Sequence, residues 1–312
     1  MEPFPKPKLI VSRCLGFENC RYDGGIISDA FINKLKPYAE FNTVCPEMEI
    51  GLGVPREPIR LVIKNNKKYM FQPATGLDIT KKMEKFTEDF LNNLEEVDGF
   101  IMKHKSPSCG LGSVKIFSGF EGKNQHSRGP GFFGASIMNK YGNLPVEDEG
   151  RLRNFSIREH FLIRIFTQAK FREFKKNPTM KGLVDFHSNN KMLFMAYNQK
   201  KMKELGKITA NHEHLKTEDV IHQYEVHMHR LLKAMPRFTS RINMLQHAFG
   251  FVSDKLESDE KKFFLNSIEE YRDERIPLSV LIKLLNSYAL RFKQYYLLRQ
   301  TFLNPFPLDL VE

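Results

Sequence analysis

Leu9-Ile10-Val11-Ser12-Arg13-Cys14 is a short β-rich run that ends on a cysteine, and the rest of the first half repeats its pattern. A helical pattern from Asp29 to Tyr38 leads to a second run, Phe41-Asn42-Thr43-Val44, again followed directly by a cysteine, Cys45. A helix near Lys81 to Leu94 precedes a third run, Gly99-Phe100-Ile101-Met102-Lys103. Strands alternating with amphipathic helices imply βαβ units, right-handed crossovers and a parallel sheet. The expected fold of this half is α/β with a Rossmann-like parallel sheet. Arg60 to Gln72 departs from the alternation and reads as a β excursion with a turn at Asn65-Asn66.

Beyond the turn-rich Arg128-Gly129-Pro130-Gly131 the pattern becomes helical and stays so. Helices are predicted at about Asn154 to Lys176, Val184 to Leu205, Thr217 to Met235, Arg237 to Leu256, Asp259 to Arg275 and Pro277 to Arg299, punctuated by Gly206, Pro236 and Pro277. An all-α helical bundle is therefore expected as the second domain. The expected division is residues 1–165 and 166–312, with a long helix connecting them.

The chain has 312 residues, room for two domains that each bury a core. No apolar run approaches the roughly 20 residues that cross a bilayer, so no membrane partner is expected. The first residues, Met1 to Lys8, lack the basic start, apolar core and cleavage site of a signal peptide. The expected compartment is the cytoplasm. Net charge is +11, and residues 151–312 hold 28 Lys+Arg against 18 Asp+Glu, so they carry +10 of it. That excess suits a phosphate-rich partner, although solvated helix faces give the same count.

Four cysteines, Cys14, Cys20, Cys45 and Cys109, lie in the first 110 residues. A reducing cytoplasm argues against disulfides, which leaves idle thiols or a metal site. Cys14, Cys45 and Cys109 each follow a predicted strand. In an open α/β sheet ligands collect beyond the carboxyl ends of the strands, where these thiols could converge. Cysteines are the usual ligands of iron-sulfur clusters, and three of them leave one iron open. Zinc on the three cysteines plus His104 is the competing metal. Around them stand Arg21-Tyr22-Asp23-Gly24-Gly25, Pro46-Glu47 through Pro55-Arg56, and Ser106-Pro107-Ser108-Cys109-Gly110. Carboxylate, hydroxyl and guanidinium groups there supply proton transfer and anion recognition.

Cys14 with Arg21 to Gly25, the Cys45-Pro46-Glu47 to Pro55-Arg56 block and Lys105 to Gly110 together resemble the bacterial TudS-like thiouracil desulfidases, over about residues 8 to 150. The resemblance implies a [4Fe-4S] cluster on Cys14, Cys45 and Cys109, with one open iron for the thiocarbonyl sulfur of the substrate. It implies Glu47 as general base or acid and Ser106 as the hydroxyl that orients water or substrate. Taken alone, Glu47 reads equally as a turn-capping carboxylate and Ser106 as a loop hydroxyl. Asp23, Lys105 and Ser108 follow as lesser candidates. Arg56 is read as an anchor for the Glu47 loop or a phosphate, and Cys20 as a bystander.

Residues from about 185 to 308 resemble a second family, the helical YbgA-like domain often fused behind TudS-like domains in a RudS-type arrangement. The matching features include Phe186-His187-Ser188, Leu205-Gly206, His247-Ala248-Phe249-Gly250, Ile276-Pro277-Leu278 and Gln300 with Asn304-Pro305-Phe306-Pro307. Basic groups bind phosphates and aromatic rings stack on unpaired bases, which suits folded RNA. His222 and His229 could share a helix face, and the turn Gly129 to Gly134 could cradle a phosphate.

The expected function is a non-redox, hydrolytic desulfidase that converts 4-thiouridine in tRNA to uridine and releases sulfide. The expected substrate partner is tRNA, and no protein partner is evident. Two alternatives stay open: desulfuration of free thiouracil or thiouridine nucleotides, and a non-catalytic metal-containing RNA-binding regulator.

Overall fold

Leu9, Ile10 and Val11 are fully buried in β1 (Lys8–Ser12) of a computed structural model that describes residues 3–121 and 124–311. Three consecutive apolar residues with no exposed face require cover on both sides, which parallel sheets have. The chain continues through α1 (Ala30–Leu35), β2 (Glu40–Val44), α2 (Pro46–Glu49), β3 (Arg60–Lys64), β4 (Lys67–Gln72), β5 (Leu77–Asp78) and α3 (Thr80–Asn92). It goes on through β6 (Gly99–Met102), β7 (Val114–Ser118), β8 (Gln125–Gly129), α4 (Phe132–Tyr141), β9 (Val146–Asp148) and α5 (Phe155–Lys175). Two compact units form, Met1–Ala169 with Asp309–Glu312, and Lys170–Leu308.

In the first unit, β2-β1-β6-β9 form an all-parallel sheet. Ile10, Val44 and Phe100 from three of its strands share a core with Leu91 of α3 and Phe133 and Ile137 of α4. The α/β expectation holds for this sheet. A second, mixed sheet, β5-β4-β3-β7-β8, packs Leu61, Val114 and Ile116 against Met83 of α3. Its hairpin β3-β4 is the expected excursion. Asn65 and Asn66 both take positive φ, 51° and 57°, as a two-residue type I′ turn requires. The strands β7 and β8 were not anticipated. The first is five residues long, and the second, Gln-His-Ser-Arg-Gly, has no apolar side chain to mark it.

The second unit is helical: α6 (Met180–Tyr197), α7 (Gln199–Ala210), α8 (Thr217–Leu232), α9 (Phe238–Gly250), α10 (Ser258–Arg272), α11 (Leu278–Arg291) and α12 (Tyr295–Leu298). The single helix predicted over Val184 to Leu205 is two. Asn198 is extended, and its side chain accepts from the Lys201 amide at 3.0 Å, capping α7. The helix predicted over Pro277 to Arg299 breaks at Lys293, whose φ is 50°.

The second-half motifs are explained by packing. His187 Nδ1 lies 3.1 Å from the Tyr224 hydroxyl, and a Cβ on Gly206 would meet His187 Nε2 at 3.4 Å. Burial pushes His187 down to about 4, aided by Lys191. Buried Gln300 accepts from the Met192 amide at 3.0 Å and donates to Ser188 O at 2.9 Å, tying the chain's end to α6. Among the described residues no helix is long and apolar enough to cross a membrane.

Candidate functional site

Parallel pairing of β2, β1 and β6 puts the carboxyl ends of three adjacent strands side by side. Cys14 follows β1 by two residues, Cys45 follows β2 as the residue that opens α2, and Cys109 sits on the loop after β6. All three thiols line one cavity of about 290 Å³, together with Glu47, Arg56, Ser106 and Ser108. The convergence expected from the sequence is thus present.

Cys20 is there as well. It is fully buried, lines the same cavity and is within side-chain hydrogen-bonding reach of Cys14 and Cys45. The segment after Cys14 folds back on itself, Ile27 N donating to Cys14 O at 2.8 Å, and Arg56 Nη1 holds the Cys20 carbonyl at 3.0 Å. Cys20, read from the sequence as a bystander, thus lines the cavity as well. Distance from a strand end along the chain gave no signal for a loop that returns.

The four cysteines are free thiols. Contact with Cys14 pushes Cys20 up to about 11, burial pushes Cys109 up to about 12, and contact with Cys20 together with burial raises Cys45. Burial makes bare thiolates unfavourable, so a cationic metal core is the kind of group that stabilises them. Among the described residues no three His, Cys, Asp or Glu side chains close on a single-ion position. His104 Nδ1 instead faces Asp148 Oδ2 and Ser113 Oγ, each at 3.2 Å. A polynuclear cluster takes each thiolate on a different iron and needs them spread around a cavity. Three cysteine thiols on one cavity are the donors that an iron-sulfur cluster takes.

Glu47, in the first turn of α2, is held on both oxygens. Arg56 Nε and Nη2 converge on its Oε2 at 2.8 and 2.6 Å, and the Ser108 hydroxyl donates to its Oε1 at 2.8 Å. Arg56 thus anchors Glu47, as read from the sequence. Ser106 Oγ lies 2.9 Å from Ser108 Oγ and accepts from the Ser108 and Cys109 amides at 3.3 and 3.2 Å. Since Ser108 donates to Glu47, the chain of donors runs Ser106 to Ser108 to Glu47. Ser108, ranked behind Ser106 from sequence, is the buried link, and its hydroxyl also lies 3.7 Å from Cys109 Sγ. Asp23 lies outside the cavity lining and accepts from Gly25 N at 3.0 Å in its own turn.

Three further groups escaped the sequence reading. Ser12 Oγ accepts from Lys103 N at 2.9 Å, Glu149 accepts from His104 N at 2.6 Å, and Lys103 Nζ bonds to Glu149. They fix the start of the Cys109 loop. The glycine turn at the start of α4 fixes its other side. Gly131 N donates to Gly110 O at 2.8 Å, Phe132 N to Pro107 O at 3.3 Å and Gly134 N to Ser108 O at 3.0 Å. These amides are committed to the loop and do not form a phosphate cradle. A Cβ on Gly134 would stand 2.6 Å from Cys109 O, so only glycine permits this approach.

A family model described as 2-thiouracil desulfurase matches residues 9–149, and one described as a protein of unknown function (DUF1722) matches residues 191–307. The uncharacterized protein YbbK of Bacillus subtilis (strain 168) is 32% identical over 123 residues, 37% of this chain and 80% of the relative. The uncharacterized protein YbgA of Escherichia coli (strain K12) is 26% identical over 148 residues, 47% of this chain and 88% of the relative. A solved structure of the [4Fe-4S]-dependent thiouracil desulfidase TudS is 28% identical and aligns over 47% of this chain and 94% of its own, with a TM-score of 0.38. Through its first half the chain belongs to the 2-thiouracil desulfurase family, as a TudS-like domain joined to a YbgA-like domain.

Proposed function

We propose that the first unit is a desulfidase that replaces the sulfur of a thiolated uracil with oxygen from water, and that its substrate is 4-thiouridine in tRNA. The observation that carries this reading is one cavity in which thiols from three adjacent strand ends meet a carboxylate, Glu47, whose reach extends through Ser108 and Ser106. Cys14, Cys45 and Cys109 would hold a [4Fe-4S] cluster with one open iron. When bound, the cluster supplies a Lewis-acidic iron for the soft thiocarbonyl sulfur.

The chain's own groups manage water and protons. Arg56 occupies Oε2 of Glu47 and leaves Oε1 to face Ser108. Glu47 takes a proton from the attacking water through these hydroxyls, and the same path returns it to the departing sulfur. Water and the thiocarbonyl give a carbonyl and hydrogen sulfide, with no net change of oxidation state. Ser106 orients the water; its bonds to the Ser108 and Cys109 amides fix the hydroxyl for that task.

Residues 170–308 hold 24 Lys+Arg against 15 Asp+Glu, an excess that supports a polyanionic substrate, which the second unit would dock. A cavity of about 290 Å³ also supports a second reading, desulfuration of free thiouracil or a thiouridine nucleotide. Anaerobically prepared protein given thiolated tRNA and free 4-thiouracil separates the two by sulfide release. Turnover of tRNA is expected, and turnover of the base alone sinks the tRNA reading.

A further inference from the structure

Beside the thiol cavity lies a second groove of about 420 Å³ that shares Lys105 and Pro107 with it. Its lining includes Arg60, Lys115 and Arg128, one from each of the adjacent strands β3, β7 and β8. Lys115 is directly opposite Arg128, and the parallel register of β3 and β7, Leu61 against Ile116, continues one step back to Arg60 and Lys115. Leu61, Val114 and Ile116 face the core, so the alternation of a strand sends Arg60 and Lys115 to the other face. Arg60 lies over the Phe117 ring at 5.0 Å.

Like charges directly opposite each other on neighbouring strands are destabilising. Here three cations make a row about 10 Å long across the sheet. All three are exposed, as is Lys105, and among the described residues none of the four has an ion-paired carboxylate. An anion on the row removes the repulsion.

We propose that this groove binds phosphate groups of the nucleotide that carries the thiolated base, so that the catalytic unit itself reads a nucleotide. The inference rests on the desulfidase reading for the identity of that base. The shared chemistry is phosphate, whether the 5′-phosphate of a mononucleotide or the backbone of an RNA.

The test measures binding of 5′-UMP and of an unthiolated tRNA transcript to the full chain across a salt series. Wild type is compared with Arg60→Ala/Lys115→Ala/Arg128→Ala and with Lys81→Ala/Lys82→Ala/Lys85→Ala, which removes the same charge from exposed positions of α3. The groove variant is expected to lower the slope of log K against log salt for tRNA by about 2 to 3, and the α3 variant by less than about 1. Loss for tRNA alone assigns the groove to backbone phosphates, and loss for UMP as well assigns it to the phosphate beside the base. Equal losses in the two variants, or none, overturn the proposal. Neither probe contains sulfur, so absence of sulfide release from thiolated substrates would remove the desulfidase reading without touching this result.

Discussion

Replacing Arg56 with methionine tests whether Glu47 is a buried charge held by one partner. The Arg56 and Glu47 side chains are 4% and 10% exposed, and both Arg56 bonds to Glu47 end on Oε2. Removing one member of such a pair strands the other, at a cost of about 3–5 kcal/mol. The Arg56→Met chain should lose roughly that much in the first unit, on top of the loss from the Cys20 and Gly53 carbonyls that Arg56 also binds. Hydrogen exchange of β1 and β6 amides reads this unit alone. Their protection should fall by about 100-fold or more. Adding Glu47→Gln should restore part of it, because no charge is then stranded. An Arg56→Met chain as protected as wild type, or a double variant that recovers nothing, would refute the reasoning.

Glu47→Gln alone should keep the iron-sulfur absorbance and lower kcat by about 10²- to 10⁴-fold; retained turnover would take Glu47 out of the mechanism. Gly134→Ala should cost more than about 2 kcal/mol, because its Cβ meets the Cys109 carbonyl, and should show as a lower Tm and lower iron content. His187 stays neutral in the fold down to about 4, whereas an unfolded histidine takes its proton near pH 6.5. The second unit should therefore lose roughly 2–3 kcal/mol as pH falls from 6.5 to 4, a slope that His187→Gln flattens in amide-exchange profiles of α6 and α8.

The parts of the fold legible in the sequence are those where one residue type has one use. Leu9 to Val11 and Phe100 to Met102 are unbroken apolar runs and read as buried strands, and the hairpin turn was marked by Asn65-Asn66. That the cysteines could gather followed from their places after strands of a parallel sheet. Strand neighbours do not follow from local pattern, so the row Arg60, Lys115, Arg128 was invisible, being made by pairing β3 with β7 and β7 with β8. That Cys20 lines the cavity was not legible, because the loop that carries it is held at its carbonyl by Arg56, 36 residues away. Ser106 and Ser108 are two residues apart with the same chemistry, and only the loop's path shows that Ser108 touches Glu47. The Gly131 and Gly134 amides looked available for phosphate because nothing local says that a loop twenty-odd residues earlier takes them.

Iron and acid-labile sulfide content, with the visible spectrum, of protein purified without oxygen is the most direct test of the account. Wild type should carry about four irons and four sulfides per chain with a brown charge-transfer absorbance. Cys14→Ala, Cys45→Ala and Cys109→Ala should each lose them, while Cys20→Ala should keep them. A single zinc per chain, or a metal-free protein that still releases sulfide from thiolated substrate, would contradict it.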